Sequence, residues 1–188
     1  MEDIKKDKGK TSGIVGNGDD NRIIVLSGTI NESITKEVIE RLLELQGKSP
    51  MEEITLIIDS YGGDVDSMFA ITDLMDIIIP DIKTVCIGKA MSASAFIFIC
   101  GTKGKRLMTK TSRLMLHQLS GFTYGSLKDM DIQVKEARSL QEEMIKIISE
   151  RSLLDIDSIK DLMDRDRYIR PDDAIEMGLC DGIITKLS

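Results

Sequence analysis

Residues 83–117 read KTVCIGKAMSASAFIFICG and then TKGKRLMTKTSRLMLH, and this stretch sets the pattern for the whole chain. An apolar run typical of a buried strand, residues 84–87, leads through Gly88 into a turn of small residues that carries a serine. A largely apolar segment of helical length, residues 93–100, follows directly. A hydroxyl placed where a strand passes into a buried helix lies beside unpaired backbone N–H groups and the positive end of the helix dipole. Such surroundings favour an acyl-transfer nucleophile.

The overall composition describes an ordinary globular protein. The chain has 188 residues, 41% of them hydrophobic and 30% charged, which is enough for one domain with a sizeable core. A formal net charge of −7 argues against nucleic acid or an anionic membrane as a partner. The longest apolar run, residues 90–100, is too short to cross a bilayer. The charged N-terminus lacks the apolar segment of a secretory signal, so none is expected.

Three cysteines and one histidine limit the possible metal and redox chemistry. Cys86, Cys100 and Cys180 lie in apolar surroundings without the spacing of metal ligands, which is typical of reduced core thiols in a cytoplasmic protein. The chain has no CxxC, HExxH or P-loop motif. The sequence therefore predicts a cytoplasmic protein that needs no metal or other cofactor and does not hydrolyse ATP through a P-loop.

Strands and helices alternate after a polar N-terminal stretch. Residues 1–21 show no periodicity, and we interpret them as a mobile arm that precedes a single domain of residues 22–188. Buried strands are predicted over three apolar runs, residues 22–26, 54–58 and 85–88. One helix is predicted from a cap at Asn31 or Ser33 through about residue 45, and a second at about residues 65–78. This alternation predicts an α/β fold with a mainly parallel inner sheet.

The second half of the chain contains shorter elements and one long helix. Short strands are predicted at residues 106–108, 113–116 and 182–185. A helix from about residue 126 to 151 has an apolar stripe too long for a domain of this size to cover, so part of the stripe is expected to contact another subunit. Two short helices, at about residues 157–163 and 171–178, complete the pattern.

Three chemistry-bearing segments fall at the carboxyl ends of predicted strands. They are the turn DSYGGD at residues 59–64, the serine turn, and His117 after the strand at residues 113–116. Ligands of open parallel sheets bind at this edge, so we expect these segments to face one cleft.

Each candidate residue also has a simpler interpretation. A serine flanked by alanines, as Ser92 and Ser94 are, is usually a small core or cap residue. His117 taken alone suits a hydrogen-bonded core histidine, and Gly62-Gly63 taken alone suits a plain strand-to-helix turn. A catalytic triad requires a base in reach of the hydroxyl and a carboxylate that orients the imidazole. Acidic residues close to Tyr168 are the candidates for that carboxylate.

Three short sequence motifs carry the candidate catalytic residues. They are GKAMSASAF at residues 88–96, SRLMLHQ at residues 112–118 and DRDRY at residues 164–168. Their order and their spacing, 25 residues from Ser92 to His117 and 49 from His117 to Asp166, resemble those of the proteolytic subunit of the Clp protease family. These are serine peptidases of the ClpP/crotonase-like superfamily. The resemblance extends from residue 22 to about residue 184.

The resemblance implies a fold and a set of site residues. The fold would be the ClpP/crotonase-like arrangement of repeated strand–helix units, with a protruding handle at about residues 121–151. Ser92 would be the nucleophile, His117 the general base and Asp166 the orienting carboxylate. The backbone N–H groups of Gly63 and Ala93 would form the oxyanion hole.

The resemblance also implies partners. The handle would join two stacked seven-membered rings that enclose the active sites and admit peptides or unfolded proteins. Residues 121–125 would pair as an edge strand with substrate or with the opposite ring. A AAA+ unfoldase is the family's partner for folded substrates. Residues 13–21 are shorter than the family's axial-loop region and unlike it, so docking of an unfoldase to this chain stays open.

The chain departs from the family at positions that line the expected cleft. Tyr61 and Leu119 stand where the family mostly has proline, and Ser94 stands where it mostly has glycine. Substrate preference is therefore open.

Rival site assignments and functions also remain. The rival residues are Ser94 as nucleophile, Lys89 as the base of a serine–lysine dyad, and Asp161 or Asp164 in place of Asp166. The rival functions are a maturation protease of the phage or mobile-element type, a crotonase-like acyl-CoA enzyme, and an inactive structural homologue.

Overall fold

The computed structural model of the protein describes residues 21–187, so the predicted N-terminal arm lies almost entirely outside the described residues. In chain order the elements are β1 (Ile23–Ile30), α1 (Glu32–Lys48), β2 (Ile54–Gly63), α2 (Val65–Ile77), β3 (Ile82–Met91), α3 (Ala93–Ile99), β4 (Arg106–Met108), β5 (Arg113–Leu116), α4 (Leu127–Arg151), α5 (Ile156–Met163), β6 (Arg167–Ile169), α6 (Pro171–Glu176) and β7 (Gly182–Ile183). No helix among these is both long and apolar enough to span a membrane.

The described strands form one seven-stranded sheet in which parallel pairing dominates. The main order is β1-β2-β3-β4-β7, and every neighbouring pair in it is parallel. The long strand β3 pairs with β4 over its first half and with β5 near its end. Strand β6 adds to β5 in the antiparallel direction. The predicted α/β fold with a mainly parallel sheet is confirmed.

The first three strands are longer than the sequence predicts. Glycine and polar residues indicated strand ends at residues 26, 58 and 88, but pairing continues to Ile30, Gly63 and Met91. The ladders pass these points through irregular registers, as bulged strands do. These extensions carry the sheet to the residues of the expected cleft.

Helices cover the sheet through apolar positions that recur at helical spacing. The α1 positions Ile34, Val38, Leu42 and Leu45 are buried. Asn31 caps this helix by accepting a hydrogen bond from the Ile34 N–H at 3.1 Å. Helix α3 is buried on all sides, which explains why its sequence shows no polar face.

The long helix α4 packs on the core only near its C-terminal end. Met144, Ile145 and Ile148 are buried there. Toward the N-terminal end, the apolar side chains of Leu127 and Ile132 are 82% and 64% exposed. Within the single chain, half of the helix therefore presents apolar surface to solvent.

Arg106 of strand β4 binds groups from three separate parts of the chain. Its side chain is 2% exposed and donates to both carboxylate oxygens of Asp181, at 2.9 Å and 2.7 Å. It also donates to the carbonyl oxygens of Arg151 at 2.7 Å and Gly178 at 2.8 Å. One buried cation thus holds together β4, the end of α4 and the turn that leads to β7.

Candidate active site

Ser92 occupies the junction between β3 and α3. Its backbone angles are φ 55° and ψ −127°, and it is the only non-glycine residue with positive φ among residues 21–187. Such a conformation costs on the order of 1–3 kcal/mol and persists only where the surroundings impose it. The Ser92 N–H donates to the Met115 carbonyl oxygen at 2.8 Å, which anchors the turn to β5. The strained backbone conformation therefore belongs to the residue that carries the candidate nucleophilic hydroxyl.

His117 meets this hydroxyl because β3 and β5 are parallel neighbours. Met91 lies opposite Met115 in the sheet, so the residues that follow each strand converge at the same edge. The His117 Nε2 atom is 2.7 Å from Ser92 Oγ, and both side chains are half-buried. This distance allows direct proton transfer from the hydroxyl to the imidazole.

Asp166 lies beside His117 in the sheet register but does not bind it. The antiparallel pairing of β5 and β6 matches Leu116 with Arg167, and one more step of this register sets His117 opposite Asp166. The carboxylate of Asp166 is exposed, and no hydrogen bond joins it to the imidazole in the described part of the chain. The neighbouring contact is from Gln118 Nε2 to the Asp164 carbonyl oxygen, at 3.0 Å.

The Gly62-Gly63 pair passes so close to other backbone that larger residues do not fit. A Cβ atom on Gly62, which has φ 97°, would lie 2.9 Å from Ser92 Cβ. A Cβ atom on Gly63 would overlap the carbonyl oxygen of Ile30 in β1. Glycine at position 62 lets the end of β2 lie directly against the serine turn, and glycine at position 63 lets it lie directly against β1.

A small pocket of about 50 Å³ is lined by four of the five predicted site residues, Gly63, Ser92, Ala93 and His117, but not by Asp166. The rest of its wall is mostly apolar and includes Val65, Met68, Leu116, Leu119, Met144 and Met163. Ala93 is the first residue of α3, so its N–H belongs to the unpaired group at a helix N-terminus. Among residues 21–187 no cluster of His, Cys, Asp or Glu side chains could hold a metal ion.

Ser94 and Lys89, the rival nucleophile and the rival base at this edge of the sheet, are hydrogen-bonded to other groups. Ser94 is fully buried, and its hydroxyl accepts from the Met91 N–H and donates to the Ser60 carbonyl oxygen, both at 2.8 Å. Lys89 Nζ lies 2.7 Å from Asp59 Oδ1, and this hydrogen bond raises the pKa of Lys89. The geometry therefore disfavours Ser94 as a nucleophile and Lys89 as a base.

The chain matches the family model described as Clp protease over residues 6–187. It belongs to the Clp protease family. Membership makes the protein a protease, and it confirms the family that the three motifs predicted. The matched range is longer at both ends than the predicted range of residues 22 to about 184.

Several contacts at this candidate site carried no signal in the sequence. The methionines of the pocket wall come from three helices, and the contact between Asp59 and Lys89 joins residues 30 apart in the chain. Side chains that meet only through packing leave no periodic pattern, so motif spacing could not have found them.

Proposed function

We propose that this protein is a serine endopeptidase that hydrolyses peptides or unfolded proteins with Ser92 as nucleophile, His117 as general base and Asp166 as orienting carboxylate. The observation that carries the proposal is the 2.7 Å separation of Ser92 Oγ and His117 Nε2 at a strained strand-to-helix junction. The family match supports the reaction class.

The mechanism follows from the positions of the donors and acceptors. His117 takes the hydroxyl proton as Ser92 Oγ attacks the peptide carbonyl, and it later returns that proton to the leaving amine. The N–H groups of Gly63 and Ala93 bind the oxyanion of the tetrahedral intermediate, and each such donor typically contributes about 2.7–4 kcal/mol to the transition state. Water then hydrolyses the acyl-enzyme by the same route.

Asp166 would take its role by turning its side chain toward the imidazole. One step beyond the Leu116–Arg167 pair, the β5–β6 register sets it opposite His117, and the residue is exposed. A carboxylate there would select the tautomer in which Nε2 accepts the serine proton.

Labelling with a fluorophosphonate probe tests the proposed nucleophile. We expect one covalent adduct on native protein, located at Ser92 by peptide mass spectrometry, and none on Ser92→Ala, His117→Ala or heat-unfolded protein. Both an acyl-CoA enzyme and an inactive homologue predict no adduct. An adduct at Ser94 would overturn the assignment of Ser92.

The pocket beside the hydroxyl indicates which residue precedes the cleaved bond. Its small volume, about 50 Å³, and its methionine-rich wall suit an apolar side chain of modest size, since methionine adapts to irregular shapes. We propose that the protease prefers such side chains at P1.

Met144→Ala should shift this preference toward larger side chains. Removing the side chain from the pocket wall enlarges the site, so the ratio of kcat/KM for phenylalanine over alanine at P1 should rise by about tenfold or more. Fluorogenic peptides that differ only at P1 provide the measurement. Met75→Ala removes the same side chain from a buried position outside the pocket, and it should leave the ratio unchanged. An equal change in both variants would contradict the assigned pocket.

We further propose that the protein works as a cytoplasmic homo-oligomer of stacked seven-membered rings, with a AAA+ unfoldase as a possible partner. The exposed apolar side chains of Leu127, Ile132 and Val134 on α4 support a subunit contact along the handle. Light scattering measures the assembly directly. A stable species of about 20.9 kDa at working concentration would contradict this proposal.

A further inference from the structure

The strands that carry the candidate oxyanion hole and the nucleophile are offset by a bulge just before the site. Ile58 of β2 pairs with Cys86 of β3, and the next matched pair is Ser60 with Ala90. Asp59 alone therefore faces three residues of β3, residues 87–89. A bulge of this kind bends the strand and redirects the residues after it.

Asp59 of β2 and Lys89 of β3 form an ion pair across this bulge. Lys89 Nζ lies 2.7 Å from Asp59 Oδ1. Gly88, at φ 59°, passes beneath the same carboxylate, where an added Cβ would lie 2.9 Å from Oδ1. The Lys89 ammonium group also lies 4.4 Å from the centre of the Tyr61 ring, within range of a cation–π contact. Side chains of both strands thus contact one another across the bulge.

The two residues of the ion pair lie a few positions before Ser92 and Gly63 in the sequence. Lys89 precedes Ser92 by three residues, and Asp59 precedes Gly63 by four. We propose that the Asp59–Lys89 pair is a positioning device that sets the offset of β2 against β3, and so the placement of the Gly63 N–H relative to Ser92 Oγ. This inference rests on the serine peptidase function proposed above. Both residues are positioning residues, because they act through the backbone and not on the reacting atoms.

The pair is suited to positioning more than to stabilising the fold. Its side chains are 24% and 41% exposed, and partly exposed ion pairs contribute little to folding stability. A displacement of about 1 Å at a reacting centre, by contrast, can reduce a rate by about 100-fold. Loss of the pair should therefore affect turnover far more than unfolding.

Steady-state kinetics of Lys89→Met, Asp59→Asn and the double variant test the proposal. We expect kcat to fall about three- to tenfold in each single variant with KM changed by less than about twofold, because transition-state alignment is lost and ground-state binding is kept. The double variant should be no slower than Lys89→Met alone, since each single variant already removes the same ion pair. Lys89→Arg, which keeps the charge, should recover most of the wild-type kcat.

Lys105→Met is the matched control. Lys105 Nζ bridges Glu53 at 2.7 Å and Asp81 at 2.9 Å, next to the starts of the same two strands and far along them from the bulge. This variant should keep the wild-type kcat. Wild-type turnover in Lys89→Met, or additive losses in the double variant, would overturn the positioning role. Absence of a probe adduct at Ser92 in the wild-type protein would instead overturn the serine peptidase function itself.

Discussion

His117→Ala is expected to lower kcat for peptide hydrolysis by about 10⁶-fold, the loss typical when the base of a serine triad is removed. The chain has one histidine, and its Nε2 lies 2.7 Å from the candidate nucleophile, so no second imidazole can take over. Hydrolysis of a fluorogenic peptide, with unfolding temperature and oligomer size measured alongside, gives the comparison. Residual activity above about 1% of wild type would contradict the role of His117 as general base.

Asp166→Asn tests whether Asp166, and not the neighbouring Asp164, is the carboxylate that orients His117. An amide at that position keeps the size of the side chain but cannot stabilise the imidazolium, and the expected loss in kcat is up to about 10⁴-fold. Asp164→Asn is the matched control, because its carboxylate contacts Arg165 at 3.6 Å and its register does not meet His117. Equal losses in the two variants would contradict the choice of Asp166.

Arg106→Met is expected to lower the free energy of unfolding by about 3–5 kcal/mol, as removal of one partner from a buried ion pair typically does. The change leaves the Asp181 carboxylate without its cation and deprives the carbonyl oxygens of Arg151 and Gly178 of donors. Urea unfolding at fixed protein concentration measures the effect. Lys160→Met, which removes an exposed ion pair with Asp157, should change the unfolding free energy by less than about 1 kcal/mol.

The loss of unfolding free energy caused by Arg106→Met should become smaller at acidic pH. Burial raises the pKa of Asp181, but hydrogen bonds from Arg106 and from backbone N–H groups outweigh burial and hold the pKa below its usual value of 3.8. A carboxylate with a lowered pKa contributes stability above its unfolded-state pKa and loses it as the pH falls through the folded-state pKa. The difference between wild type and Arg106→Met should therefore be full at pH 7 and narrow below about pH 4. A difference that stays constant down to pH 2 would show that lost packing, not the ion pair, causes it.

Local patterns in the chain were enough to predict most of the elements. The short strands at residues 106–108 and 113–116 have the predicted bounds, and α4 begins within one residue of its predicted start. Strand ends were less predictable, because Gly28 and Asp59 look like turn residues in the sequence yet lie within continuing ladders. Pairing with a neighbouring strand outweighs the local turn preference there.

By itself, the sequence determined the alternation of strands and helices, the family, and the choice of Ser92, His117 and Asp166 as candidates. The alternation depends on residue type and spacing, which a linear chain displays directly, and the site candidates follow from the resemblance of three motifs to the family. Only the tertiary structure decided that Ser92 and His117 meet at 2.7 Å, that Ser94 is buried, and that Lys89 is bound to Asp59. Those outcomes depend on the register and bulges of strands far apart in sequence, and register is set by packing across the whole sheet.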